Sequence, residues 1–128
     1  MASIIIEIGV SIGELIDKMT ILEIKMLELK SPEKLANATL EYSLLQKVFC
    51  SVNFAGEQLA TLRNGLFEVN KEIWVLEERL RAIDPILAPI DYSQTSSRIH
   101  SFNDKRFLLK NEINNCFGSK ITEVKSWN

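Results

Sequence analysis

Two charged side chains, Glu23 and Arg106, fall where a helical reading of the chain places apolar stripes. Glu23 stands among Ile16, Met19, Met26 and Leu27, and Arg106 among Ile99, Phe102, Leu109 and Ile113. Residues three, four and seven apart share one face of a helix, so both side chains are expected to point toward the core. A charge in a low-dielectric interior is strongly unfavourable unless an opposite charge or a ligand meets it. Two chemistries follow. Glu23 and Arg106 form a buried salt bridge between the first and fourth helices, or Arg106 holds a carboxylate or phosphate that Glu23 orients.

A second polar line, Phe67, Asn70, Trp74, Glu77 and Arg81, runs down the flank of the third helix with Glu78 beside it. An amide, an indole, a carboxylate and a guanidinium in one line make a groove wall, or a solvated flank on which Trp74 covers a neighbour. On the first helix Glu14, Lys18, Ile21 and Lys25 share a side with Asp17 nearby, and Glu14 with Lys18 reads as an ordinary helical ion pair. On the fourth, Asn103-Asp104-Lys105-Arg106 precedes Lys110, Asn111, Asn114 and Asn115. Asparagine is a poor helix former, so this many on one helix points to partners other than water. The candidate ligand set is therefore Lys18, Lys25, Arg81, Arg106 and Lys110 to hold an anion, and Glu23 and Glu78 to orient it or move a proton. Asn70, Trp74 and Asp104 line the same groove.

Several familiar chemistries lack their residues. The one histidine, His100, has no serine or cysteine partner in a recognisable motif, and the five glycines are dispersed instead of forming a phosphate loop. There is no E-x-x-E motif, and Glu14 with Asp17 supplies only half of the acidic pattern of helical nucleoside triphosphate pyrophosphohydrolases. Cys50 and Cys116 lack further ligands at metal-binding spacing and read as small buried residues of a reduced compartment. No metal and no cofactor are expected, and no reaction is named.

The elements that position these residues are helical. Ser11-Ile12-Gly13-Glu14 is a capping box opening a helix over about 12–30, whose apolar residues on more than one side imply more than one covering neighbour. Ser31-Pro32-Glu33 starts a second helix, about 32–52. The third, about 57–83, carries an unbroken heptad seam of Leu59, Leu62, Leu66, Val69, Ile73, Leu76, Leu80 and Ile83. Asp84-Pro85 ends it. Residues 84–97, with Pro85, Pro89 and a Ser/Thr/Gln run, read as a long loop, and a fourth helix spans about 98–117 before Gly118. The β-branched Ile4–Ile8 run reads as a short strand or extended arm, and Ile121, Val124 and Trp127 as a strap that docks back. The fold class is all-α: one antiparallel four-helix bundle-like domain with an N-terminal arm.

Length and charge agree with that class. A chain of 128 residues with 46% hydrophobic and 25% charged residues fits one domain able to bury its own core. A net charge of −2 argues against a nucleic-acid partner, which needs a basic face. No apolar run approaches the roughly 20 residues that span a bilayer, and the N-terminal run contains Glu7, so neither a membrane segment nor a signal peptide is expected. The expected location is the cytoplasm.

Residues Ser11 to Lys25 resemble the opening block of an uncharacterised family of small helical bacterial and phage proteins. Later blocks of that family are matched by Asn70 to Arg81 around Trp74 and Glu77-Glu78, by Asn103 to Arg106 with Lys110, Ile113 and Asn114, and by Gly118-Ser119, Glu123 and Lys125-Ser126-Trp127. Tyrosine is expected where Trp127 stands, and residues 31–58 and 84–98 do not align. The resemblance implies no reaction. It implies a context, since such proteins are often encoded near glycosyltransferase and surface-polysaccharide genes. Two functions are thus expected: binding of a small anion such as a nucleotide-sugar or sugar acid in an inter-helix groove, or assembly as a homo-oligomer. The second would use the seam of the third helix or the Ile21/Ile24 side of the first.

Overall fold

Four helices form the chain in a computed structural model that describes residues 3–54 and 56–119: α1 (Ile12–Glu28), α2 (Pro32–Ser51), α3 (Glu57–Ala82) and α4 (Pro89–Phe117). The described residues contain no strand. Ser3 to Val10 are neither helix nor strand, and the strap over Ile121, Val124 and Trp127 lies outside the described residues. No helix among them is long and apolar enough to cross a membrane.

Local chemistry sets most boundaries. Ser11 caps α1 by accepting from the Glu14 amide at 3.0 Å, and Ser31 caps α2 with Pro32 in its first turn. Gly118, at φ 66° and ψ 41°, ends α4 in the left-handed conformation that only glycine adopts freely. The reciprocal half of the capping box is not made. Glu14 turns instead to Lys110 at 2.6 Å, because α4 presents a buried ammonium that needs a carboxylate more than the Ser11 amide does.

The fourth helix differs from its expected start. It begins at Pro89, nine residues before Arg98, so the long loop shrinks to a short link around Asp84 to Ala88. Serine and threonine disfavour helix in isolation. Here proline supplies the first-turn φ, Thr95 and Ile99 are buried, and Ser93, Gln94 and Ser97 face solvent, so packing overrides propensity.

Helix α1 packs against all three others, which accounts for its two-sided apolar character. Ile16, Leu59, Leu62, Leu66 and Ile113 form the main core cluster, flanked by Ile12, Phe49, Phe54, Leu109 and Phe117. Each such side chain contributes roughly 1.5–3 kcal/mol by leaving water. The heptad of α3 is used inside the chain, and Ile24 is buried, so neither is the free assembly face expected from the sequence. Both cysteines are exposed, contrary to the buried reading.

A straight helix of 3.6 residues per turn drifts from a 3.5-residue seam. The drift brings Asn70 inward after Leu66, while Val69 is only half-buried. Beyond that point the polar line joins the heptad on the inward side: Asn70 and Leu76 are buried, and Ile73 and Trp74 line one cavity.

Candidate functional site

The buried charge on α1 is Asp17, six residues before Glu23 and on another face of the helix. Gly13, Asp17, Thr20 and Ile24 form a line turned toward α3 and α4, and all four are buried. At its N-terminal end the two backbones nearly touch. A Cβ on Gly13 would overlap the Lys110 carbonyl oxygen, and the Gly13 amide donates to Asn114 Oδ1 at 2.7 Å. The Ile12 amide donates to Ser119 Oγ at 3.2 Å, so the end of α4 satisfies helix-start donors that α1 leaves free.

Asp17 has no solvent exposure. Its carboxylate accepts from Arg106 Nε at 2.9 and 3.1 Å, from Arg106 Nη2 at 2.5 Å, and from Asn70 Nδ2 at 2.9 Å. Asn70 Nδ2 also donates to Thr20 Oγ1 at 2.9 Å, and that hydroxyl donates to the Asp17 carbonyl at 2.7 Å. Lys110 Nζ lies 2.6 Å from Glu14 and 3.9 Å from Asp17. Two carboxylates thus face two cations across the α1–α4 contact, with Asn70 of α3 fixing the third side. The bidentate guanidinium contact sets orientation as well as energy.

Next to this network a cavity of about 140 Å³ is lined by Ile21, Ile24, Asn70, Ile73, Trp74, Glu77, Arg81 and Arg106. Its apolar and aromatic lining comes from α1 and α3, and its polar groups come from α3 and α4. The buried Trp74 Nε1 has no hydrogen-bond partner. Such an orphaned donor is uncommon, because buried polar groups are nearly always paired. Arg81, on the exposed rim, forms no ion pair among the described residues, and neither does Glu77.

Of the ten residues selected from sequence, Asn70, Trp74, Arg81 and Arg106 line this cavity, and Lys110 reaches it through Asp17. Glu78 is exposed and its neighbour Glu77 takes the place on the wall. Asp104 is exposed, away from the lining. Lys18 pairs with Glu41 at 3.3 Å on the surface. Lys25 borders a separate, open groove between α1 and α2 with Leu22, Lys34, Asn37 and Glu41.

Glu23 does not meet Arg106. It forms an ion pair with Arg63 of α3 and accepts from Tyr42 of α2 at 3.1 Å, on another side of α1. Arg63 also lies 5.3 Å from the centre of the Phe49 ring, so one guanidinium ties α2 to α3. Partial burial, with Glu23 beside it, holds the Tyr42 phenol above its ordinary value of 10.0. Burial alone would push the Arg63 guanidinium down, but the Glu23 contact overrides it and the net shift is upward.

Sequence reasoning missed Asp17 and Thr20 as members of the site, and placed Glu77 in the groove wall while choosing Glu78 as the ligand-orienting carboxylate. The signal for Asp17 was the second apolar side of α1, since a helix covered on several sides buries whatever polar residue shares them. Among the described residues no three acidic, histidine or cysteine side chains gather as a metal would require. The carboxylates of Glu14 and Asp17 are instead neutralised by Lys110 and Arg106. No family model matches the chain, and no curated protein or solved structure matches it either.

Proposed function

We propose that the chain binds a small anionic ligand of the sugar-acid or sugar-phosphate class in the cavity between α1, α3 and α4. The observation that carries this reading is that Trp74, whose buried indole N–H has no partner, lines one cavity together with Arg81, Arg106 and Glu77. An orphaned donor in a polar-edged cavity is satisfied by a ligand acceptor. The guanidinium of Arg81 supplies a countercharge for a carboxylate or phosphate, Glu77 accepts from a hydroxyl, and the indole and isoleucines meet the apolar face of a sugar ring. A volume of about 140 Å³ holds a single ring or acidic head, not a whole nucleotide-sugar. The Asp17 network acts as the support, because it fixes the Arg106 side chain from behind.

The residues that resemble the uncharacterised bacterial and phage family support the same place. Asn70 to Arg81 and Arg106 border the cavity, while Asp17, Lys110 and Asn114 brace it. We read the chain accordingly as a cytoplasmic, antiparallel four-helix member of that family, with the polysaccharide context as the source of its ligand.

The test is a thermal-shift and fluorescence titration with glucuronate, galacturonate and glucose 1-phosphate, using Trp127→Phe so that Trp74 alone reports. A ligand at a hundred times its Kd stabilises the fold by about 2.7 kcal/mol, a shift of several degrees. The shift should fall at least tenfold in apparent affinity for Arg81→Gln, whose exposed side chain is not needed for folding. No shift with any probe at millimolar concentration, or an undiminished shift in Arg81→Gln, overturns the reading.

A further inference from the structure

Asn70 is the most enclosed polar residue of the cavity wall, at 5% exposure. Its amide nitrogen donates twice, to Asp17 Oδ1 and to Thr20 Oγ1, each at 2.9 Å. Those bonds use both of its N–H groups. Neither partner tolerates the amide turned over. Asp17 offers a carboxylate oxygen, and the single proton of the Thr20 hydroxyl is committed to the Asp17 carbonyl at 2.7 Å. An Asn70 oxygen set in the nitrogen's place would meet acceptors only. The amide is therefore held one way round, with its nitrogen toward α1 and its oxygen turned from that contact.

That oxygen is an acceptor with no use inside the fold. Asn70 Oδ1 receives no hydrogen bond among the described residues, yet it is not sealed in as Trp74 Nε1 is. For a side chain this buried, the cavity it lines is where the oxygen can be reached. Trp74 follows four residues later on α3, so the two are neighbours on one face with Cβ atoms about 5–6 Å apart. The wall thus carries a fixed acceptor one turn from an orphaned donor. A hydroxyl serves both, since its oxygen accepts from the indole N–H while its proton goes to Oδ1. A carboxylate, carbonyl or ether oxygen satisfies the indole and leaves Oδ1 unmet.

We propose that Asn70 is the specificity-determining residue of this cavity, selecting a ligand that carries a ring hydroxyl at the enclosed end. The acid group then lies toward Arg81, on the exposed rim. The proposal rests on the anion-binding reading above and narrows it to hydroxylated ring acids, against ring acids without hydroxyls. It also gives the Asp17 carboxylate and the Thr20 hydroxyl a second task, which is to aim the Asn70 oxygen.

The test is titration calorimetry of the full chain with glucuronate and with tetrahydropyran-2-carboxylate, which keeps the ring oxygen and the acid but has no hydroxyl. The wild type should prefer glucuronate by roughly thirtyfold, because the analogue leaves Oδ1 without a donor. In Asn70→Ala, checked for its helical circular dichroism, that preference should fall to about threefold, the share left to Glu77. Asn70 also braces Asp17, so a measurement on the wild type stands beside the variant. The side-chain carbonyl carbon resonance of Asn70 should move on adding glucuronate and hold still with tetrahydropyran-2-carboxylate. Equal affinity for the two acids, a preference undiminished in Asn70→Ala, or an Asn70 resonance unmoved by bound glucuronate overturns the proposal and leaves the anion site standing. Binding of neither acid overturns the proposal, and silence from glucose 1-phosphate as well overturns the site.

Discussion

Replacing Asp17 by asparagine removes one oxygen and one charge from the centre of the α1–α3–α4 contact and changes almost no volume. Among the described residues the hydrogen-bond and ion-pair partners of that carboxylate are donors: Arg106 through two nitrogens, Asn70 through its amide, and Lys110 at 3.9 Å. An asparagine amide nitrogen in place of Oδ2 faces Arg106 Nη2, and in place of Oδ1 it faces Asn70 Nδ2. Either way a donor meets a donor. Breaking a buried pair on one side costs about 3–5 kcal/mol. Two features pull the value to the lower end: the Arg106 side chain is 30% exposed and can regain water, and Lys110 keeps Glu14 at 2.6 Å. The expected loss is thus ~3 kcal/mol, or roughly 10 °C in Tm for a domain of this size. Urea unfolding should show a lower midpoint with an unchanged slope, the mark of a native-state effect. Combining Asp17→Asn with Arg106→Met should recover about 2 kcal/mol of that loss as coupling energy. A loss under about 1 kcal/mol, or strict additivity in the cycle, refutes the claim that this carboxylate organises the contact.

Glycine tests the packing at two positions with opposite signs. Gly13→Ala forces a methyl into the Lys110 carbonyl and should cost about 1–3 kcal/mol, whereas Gly65→Ala meets Leu109 at 3.6 Å, an ordinary contact, and should gain up to ~1 kcal/mol from helix propensity in thermal unfolding. The Tyr42 phenol, with its folded value raised, favours the neutral form in the fold. Its contribution is fully present below the ordinary 10.0 and is lost as pH rises through the folded value. A tyrosinate absorbance titration of wild type against Tyr42→Phe should therefore show a component with a midpoint above 10, and a midpoint at or below 10 would contradict the burial argument. Within the proposed site, Glu77→Gln should weaken binding of a sugar acid severalfold by calorimetry and Glu78→Gln should leave it unchanged, because only Glu77 borders the cavity. Equal effects would move the ligand elsewhere.

Capping, proline and periodicity are local, and they were legible. Ser11, Ser31, Pro32 and Gly118 act within a turn or two of their own positions, so helix ends near them follow from sequence. The exception, the start of α4, is a case in which a weak local preference of Ser93 to Ser97 yields to long-range burial of Thr95 and Ile99. The polar line of α3 was visible as a line, but its side of the helix was not, since the drift from Leu66 to Asn70 depends on where α1 and α4 sit.

The sequence by itself determined four helices, a charged cluster rich in Asn, Lys and Arg on α4, and Arg106 on a face that turns inward. Only the tertiary structure decided the pairing. A guanidinium reaches several helical positions of a neighbour, and Glu23 and Asp17 differ by little more than one and a half turns of α1, roughly 9 Å along its axis. The choice between them rests on the close approach at Gly13, which brings α4 against the Asp17 side of α1 and leaves Glu23 to Arg63 and Tyr42. Charge identity is written in the chain one residue at a time, whereas which charges share a low-dielectric space is set by how helices meet.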